Sequence, residues 1–277
     1  MTAMRTVRFP SGAELPVLGQ GTWRMGDDPA RRPGEIAALR RGLDLGLTVI
    51  DTAEMYGNGA AEELVGEAIR GRRDDAYLVS KVLPYNADRR GTAEACHASL
   101  RRLGTDRIDL YLLHWRGSVP LHETVAAMEA LVSEGSIGAW GVSNLDVDDL
   151  ADLPAHARPE TDQVLYNLTR RGPEFDLFPR CRELAVPIMA YSPVEQGRLL
   201  GHKTLKAVAA ARGVSPAQVA LAWVLRRDDI VAIPKASTVA HVEENHAALD
   251  LHLTDDDLRA LDRAFPAPVR KRSLDVL

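Results

Sequence analysis

Four residue types that can hold or move a proton follow one another along the chain. Asp51 and Tyr56 lie in VIDTAEMYGN (residues 49–58), Lys81 closes AYLVSK, and His114 closes IDLYLLH. Each sits at, or just past, the end of a short apolar run, where a buried polar group needs a reason. A phenol beside an ammonium is a proton donor whose anion the cation stabilises, so the Tyr56–Lys81 pair predicts a tyrosine pKa lowered toward working pH. Asp51 supplies the counter-charge that keeps a buried Lys81 protonated and in place. His114 would orient a bound carbonyl oxygen or help to protonate it. None of these groups is a hydride source, so carbonyl reduction by this set requires a nicotinamide cofactor. A metal-dependent hydrolase is the poorer match, because no HxH or HExxH spacing occurs.

The elements that must position these groups alternate regularly. RTVRF and ELPVL flank a Pro10-Ser11-Gly12-Ala13 turn and predict an opening β-hairpin. LGQGTW (18–23) then gives a strand whose glycines allow close backbone approach. Apolar runs at 47–52, 76–82, 108–114, 139–144, 161–167, 186–193 and 229–235 bring the count to eight strands. Helical periodicity fills most of the intervals, at 34–45, 60–70, 92–103, 122–135, 146–153, 175–184, 205–213 and 216–227. Ser215-Pro216-Ala217-Gln218 and Thr254 before Asp257 read as helix starts. Eight such units, without a linker or compositional break, predict a closed (β/α)8 barrel, an α/β TIM barrel with an N-terminal β-hairpin, over a single domain of residues 1–277. A doubly wound open sheet is the competing architecture.

In such a barrel the chemistry gathers at the carboxyl ends of the strands. Those ends carry Asp51, Ser80-Lys81, His114-Trp115, Ser143-Asn144, Gln163 with Asn167, Tyr191-Ser192 and Lys235-Ala236-Ser237 in turn. Trp23, Tyr85 and Trp115 are placed to wall a substrate pocket beside Tyr56 and His114. Glu54 is a neighbour of the four-residue set. Gly57-Asn58-Gly59-Ala60-Ala61-Glu62 mimics a dinucleotide fingerprint, but Glu62 stands where the third glycine belongs and its carboxylate would repel a pyrophosphate.

Composition excludes several classes. The 277 residues are 45% hydrophobic and 26% charged, with net charge −5 and no long basic stripe, which argues against nucleic acid as a partner. Cys96 and Cys181 have no CxxC spacing, and no apolar run has the length of a signal core or a membrane span, so a cytoplasmic protein without membrane association is expected. No exposed heptad or apolar stripe points beyond a monomer. The tail after Phe265 is short and mixed, leaving little chain for a lid and hence an open pocket for small, varied carbonyls.

Taken together, LGQGTW, DTAEMYGN, VSKV, DLYLLHW, WGVSN, DQVLYN, AYSP and IPKA with EEN resemble the aldo-keto reductase family, in family order and over essentially the whole chain. Within the family the chain is most similar to small bacterial methylglyoxal and aldehyde reductases. The resemblance implies a catalytic tetrad of Asp51, Tyr56, Lys81 and His114, with Tyr56 as the general acid. It implies that Ser143, Asn144 and Gln163 hold the nicotinamide carboxamide and that Tyr191 stacks on the ring. Gly21, Thr22 and Asp51 would lie near the nicotinamide ribose. Ser192, Pro193, Lys235, Ser237, Thr238, Glu244 and Asn245 would lie near the pyrophosphate and adenosine. The family's phosphate-gripping arginine, six residues after the lysine, is His241 here. NADPH and NADH both stay open as donors, with Lys235 favouring the 2′-phosphate of NADPH. The implied activity is reduction of small aldehydes and ketones. The alternative is a cofactor-sensing regulatory protein on the same fold with little turnover.

Overall fold

The computed structural model describes residues 4–277; the reading of the first three residues as part of a leaderless N-terminus lies outside the described residues. The expected hairpin pairs β1 (Thr6–Arg8) with β2 (Glu14–Pro16), Val7 opposite Leu15. Val7, Phe9 and Leu15 are buried in the main hydrophobic cluster.

Eight parallel strands follow: β3 (Gln20–Gly21), β4 (Val49–Asp51), β5 (Tyr77–Val82), β6 (Ile108–Leu113), β7 (Ile137–Ser143), β8 (Asp162–Leu165), β9 (Ile188–Tyr191) and β10 (Ile230–Ile233). Each is paired in parallel with the next. The ring is closed by parallel bridges between Leu18 and Ala232 and between Gly21 and Lys235. Gly21 explains how the first and last strands come so near: a β-carbon there would lie 2.7 Å from the Ile233 carbonyl oxygen. The close approach that the glycines foretold is therefore the seam of the barrel.

Ten helices accompany the strands among the described residues: α1 (Arg32–Asp44), α2 (Ala60–Ala68), α3 (Arg89–Leu103), α4 (Leu121–Glu134), α5 (Val147–Ala151), α6 (Leu177–Glu183), α7 (Lys203–Arg212), α8 (Pro216–Leu225), α9 (Val239–Ala247) and α10 (Asp255–Ala264). Ser215 and Thr254 form capping boxes with Gln218 and Asp257, as their spacing predicts. Helix α6 starts two residues later than its apolar pattern suggests. Pro179 lies inside it, and a proline is tolerated only within a first turn, which fixes the start near Leu177. Strand β8 is shorter than the 161–167 run because Asn167 turns away, its Oδ1 accepting from the Thr169 amide and hydroxyl. No single described helix is long and apolar enough to cross a membrane.

One core residue is electrostatically out of place. Asp162, on β8, is fully buried; its Oδ1 accepts one long bond from the Leu145 amide, at 3.4 Å, and its Oδ2 has no partner. Burial pushes this carboxyl well above its usual pKa, with Asp149 and Asp146 adding to the rise. The fold thus keeps a proton that the unfolded chain releases near pH 4, so its contribution is fully present below that pH and is lost as pH rises through the folded pKa. Asp162→Asn should therefore gain stability over the parent as pH is raised from 5 to 8, by on the order of 1–3 kcal/mol at the upper end. Urea midpoints at the two pH values test this; parallel behaviour of the two proteins would refute it.

Candidate active site

Lys81 organises the site. Its side chain is wholly buried on β5 with every N–H committed: Nζ donates to Asp51 Oδ2 at 2.8 Å, to the Thr52 carbonyl at 2.8 Å and to the Tyr56 hydroxyl oxygen at 3.0 Å. Burial pulls the ammonium down and the Asp51 carboxyl up, while their mutual attraction opposes both shifts. A charge pair is the stable arrangement, since Asp51 also accepts from Gln163 Nε2 at 2.7 Å. Because the Tyr56 oxygen accepts from Lys81, the phenolic proton is left to point elsewhere.

Tyr56 departs from the sequence expectation in its acidity. Its hydroxyl is raised well above the usual range, first by burial and then by the Asp51 carboxylate. The ammonium 3.0 Å away acts in the opposite sense without overcoming that desolvation. The phenol is therefore neutral and holds its proton. His114, one strand further round, is pushed down to about 2 by burial and by the Lys81 charge, so it too is neutral. Its Nδ1 is buried without a partner. The rings of Trp23, Tyr56, His114 and Trp115 form a continuous edge-packed row, with centroids 4.9, 5.8 and 4.8 Å apart.

A hydrogen-bonded relay joins this row to the other side of the barrel. Tyr191 donates to Asn144 Oδ1 at 3.0 Å. Asn144 Nδ2 donates to Ser143 Oγ at 3.0 Å and to the His114 carbonyl at 3.1 Å. Ser143 Oγ donates to the Gln163 carbonyl at 2.8 Å, and the Gln163 amide reaches Asp51. Asn144 holds a left-handed backbone, φ 58°, which aims its amide across the barrel mouth.

Two adjoining cavities meet at Trp23, Tyr56 and Tyr191. The larger, of about 470 Å³, is lined by Gly21, Thr22, Asp51, Ser192, Pro193, Lys235, His241, Glu244 and Asn245. Thr22 is anchored there by its hydroxyl, which donates to the Asp51 carbonyl at 2.9 Å. Ser237 and Thr238 stand outside the lining; Thr238 caps α9, accepting from the His241 amide. The smaller cavity, of about 310 Å³, is lined by His114, Trp115, Ser143, Asn144 and Gln163 together with the shared rings.

Two placements differ from the sequence reading, those of Tyr85 and of the C-terminal tail, whereas Glu54 and Glu62 lie as it expects. Tyr85 lines neither cavity and is 73% exposed, because it follows Pro84 on a single 3₁₀ turn that leads away from the rim. Glu54 ties two loops together, accepting from the Leu83 amide at 2.7 Å and from Asn86 at 3.2 Å. Glu62 is buried between Ser80 and Arg102, with both carboxylate oxygens committed to structural partners. The tail does reach the mouth. Lys271 pairs with Asp176 at 3.3 Å and Asp146 at 3.5 Å, Asp275 pairs with Arg170 at 3.3 Å, and Val276 and Leu277 line the smaller cavity. Opposite charges far apart in sequence hold it there, a signal that periodicity does not carry. Arg24, Met55, Gln196 and Arg198 also line that cavity, and no strand end or motif in the sequence marks them. The long loop after β9 was the available pointer to two of them.

Residues 17–265 match the Aldo/keto reductase family, and the chain belongs to it, an oxidoreductase on a (β/α)8 barrel. Among curated relatives it is 50% identical to methylglyoxal reductase YeaE of Escherichia coli (strain K12), over 99% of each chain. Among solved structures it superposes with TM-score 0.96 on an aldo/keto reductase from Klebsiella pneumoniae in complex with NADP and acetate, at 52% identity over 99% of this chain and 100% of that one. An aldo-keto reductase from the same organism in complex with NADPH gives TM-score 0.96 at 51% identity over the whole of both chains.

Removing one member of the buried pair should be costlier than removing both. Asp51→Asn leaves Lys81 with no carboxylate partner and should lose about 3–5 kcal/mol. The double variant Asp51→Asn/Lys81→Met should recover part of that loss in urea denaturation. A strictly additive double variant would show that the pair is not coupled.

Proposed function

We propose that this protein reduces small aldehydes and ketones, methylglyoxal-type 2-oxoaldehydes among them, to alcohols with NADPH, using Tyr56 as the general acid. The observation that carries the reading is the Lys81 bond to the Tyr56 oxygen. It turns the phenolic proton away from the lysine, on a ring that walls both cavities.

The larger cavity fits a dinucleotide by its donor set. It runs from Tyr56 and Tyr191 to Lys235, His241 and Asn245, offering a cation, an imidazole and an amide along one trough. A reduced nicotinamide bound there supplies the hydride. Tyr191 and Gly21 would flank it, with Asn144 and the Gln163 side-chain oxygen to meet its carboxamide. On the protein side, neutral His114 and Tyr56 orient the carbonyl oxygen. As negative charge develops on that oxygen, the phenolic proton passes to it, and Lys81 stabilises the phenolate left behind. Asp51 keeps Lys81 charged throughout. A raised phenol pKa does not hinder this step, because an alkoxide is far more basic than a phenolate.

Tyr56→Phe should lower kcat by about 10²- to 10⁴-fold with the NADPH dissociation constant unchanged. Retained turnover would sink the mechanism. Ordinary turnover of methylglyoxal would also set aside the alternative of a cofactor sensor with little activity.

His241 lies in the trough six residues after Lys235, where a second full cation would strengthen the grip on a 2′-phosphate. His241→Arg should raise the NADPH-over-NADH ratio of kcat/KM by tenfold or more. A ratio that does not move would place the 2′-phosphate elsewhere. The same reading takes residues 1–277 as one catalytic domain, acting as a cytoplasmic monomer on small carbonyl substrates, without nucleic acid or membrane as partner.

A further inference from the structure

Gln163 reaches across the inside of the barrel. It sits on β8, yet its Nε2 donates to Asp51 Oδ1 at the end of β4, at 2.7 Å, and the same nitrogen donates to Met189 Sδ at 3.0 Å. Met189 is its register partner on β9, so the two side chains leave neighbouring strands on one face. Both residues are buried. An amide nitrogen carries two protons, and here one goes to the carboxylate that holds Lys81 while the other goes to a thioether.

The orientation of the amide follows from these two bonds. Turned over, it would set its oxygen against a carboxylate oxygen, two acceptors with no proton between them. With both protons spent inside the barrel, Gln163 has only Oε1 left, and no donor among the described residues reaches that atom. Gln163 lines the smaller cavity, so a bare acceptor is what it presents there. The carboxylate alone does not secure this. An amide proton left unpaired in a buried site costs free energy, and the broad last torsion of a glutamine lets the group turn until that proton finds a partner, carrying the oxygen with it. The sulfur removes that freedom. Ile188 and Ala190, the buried neighbours of Met189 on β9, show the alternative, since an apolar side chain would fill the place and accept nothing.

We infer that Met189 is a positioning residue for the cofactor: its sulfur holds the Gln163 amide so that Oε1 alone faces the nicotinamide and reads the N–H end of its carboxamide. Met189 lines neither cavity, so it acts only through Gln163. The inference rests on the reductase reading above and deepens it.

The test compares two oxidised cofactors that differ at that group, NADP+ and its 3-acetylpyridine analogue, whose methyl ketone has no N–H to give. Dissociation constants are read from quenching of tryptophan fluorescence, without turnover. The parent should bind NADP+ more tightly than the analogue by about fivefold or more. Met189→Leu keeps the volume and removes the acceptor; its ratio should fall below about twofold, chiefly through weaker NADP+ binding. Should the leucine variant fold poorly, Met189→Ile makes the same removal with a residue suited to a strand. A parent ratio near one would overturn the inference, because Gln163 would not be reading the carboxamide. A variant ratio equal to the parent's would overturn it too, leaving Met189 as packing alone, and so would an equal loss on both cofactors, the mark of a purely structural change. In each of these cases the reductase reading stands. If the parent binds neither cofactor, both readings fall together.

Discussion

An ammonium group buried in the wall of a barrel is costly unless each of its protons has somewhere to go, and Lys81 meets that condition in only one way. Its three donors require a carboxylate on the strand before, a carbonyl just past it and an oxygen on the loop beyond. Asp51, Thr52 and Tyr56 supply these from a single stretch of six residues, so the order of the sequence and the geometry of the cation are one constraint. The same bonds decide the chemistry. A lysine that donates to the phenol oxygen cannot also receive the phenol's proton, so on the proposed mechanism the direction of proton flow is set in the ground state.

Parallel strands place this constraint at a rim and not in the middle of the protein. Because β4, β5 and β6 are in register as neighbours, residues that end them converge on one mouth, and the barrel seam at Gly21 brings β10 with Lys235 round to the same side. The seam depends on a missing side chain: with a β-carbon 2.7 Å from a carbonyl oxygen, β3 could not approach β10, and the long trough would lose its continuous wall. The buried charge pair at one strand end and the long trough at another are thus joined by one backbone contact.

This division of labour explains what could be read from the sequence. Strand count, helix starts and the four proton-handling residues announce themselves through spacing, because apolar periodicity and capping chemistry are local. Tyr85 misled because an aromatic beside a strand end reads like a pocket wall, whereas one proline and a 3₁₀ turn carry it out to solvent. The acidity of Tyr56 escapes the sequence for a related reason. A neighbouring lysine is visible in the sequence, but the depth of burial that outweighs it is a property of the assembled barrel. The tail's return to the mouth rests on charge pairs between Lys271 and Asp146, Asp148 and Asp176, all distant in the chain, and nothing local encodes such a pairing.

The relay from Tyr191 to Tyr56 gives the two cavities a shared reference. Asn144, Ser143 and Gln163 each use a donor to fix the next group, and the run ends on Asp51, the residue that also fixes Lys81. The Tyr191 ring and the Tyr56 phenol are therefore registered against each other through bonds and not only through packing. A reaction in which hydride and proton arrive at adjacent atoms of one carbonyl needs both donors held in a common frame, with errors below about an ångström. On the proposed mechanism that frame is one run of hydrogen bonds, continued from Asp51 through Lys81, with the two tyrosines at its ends.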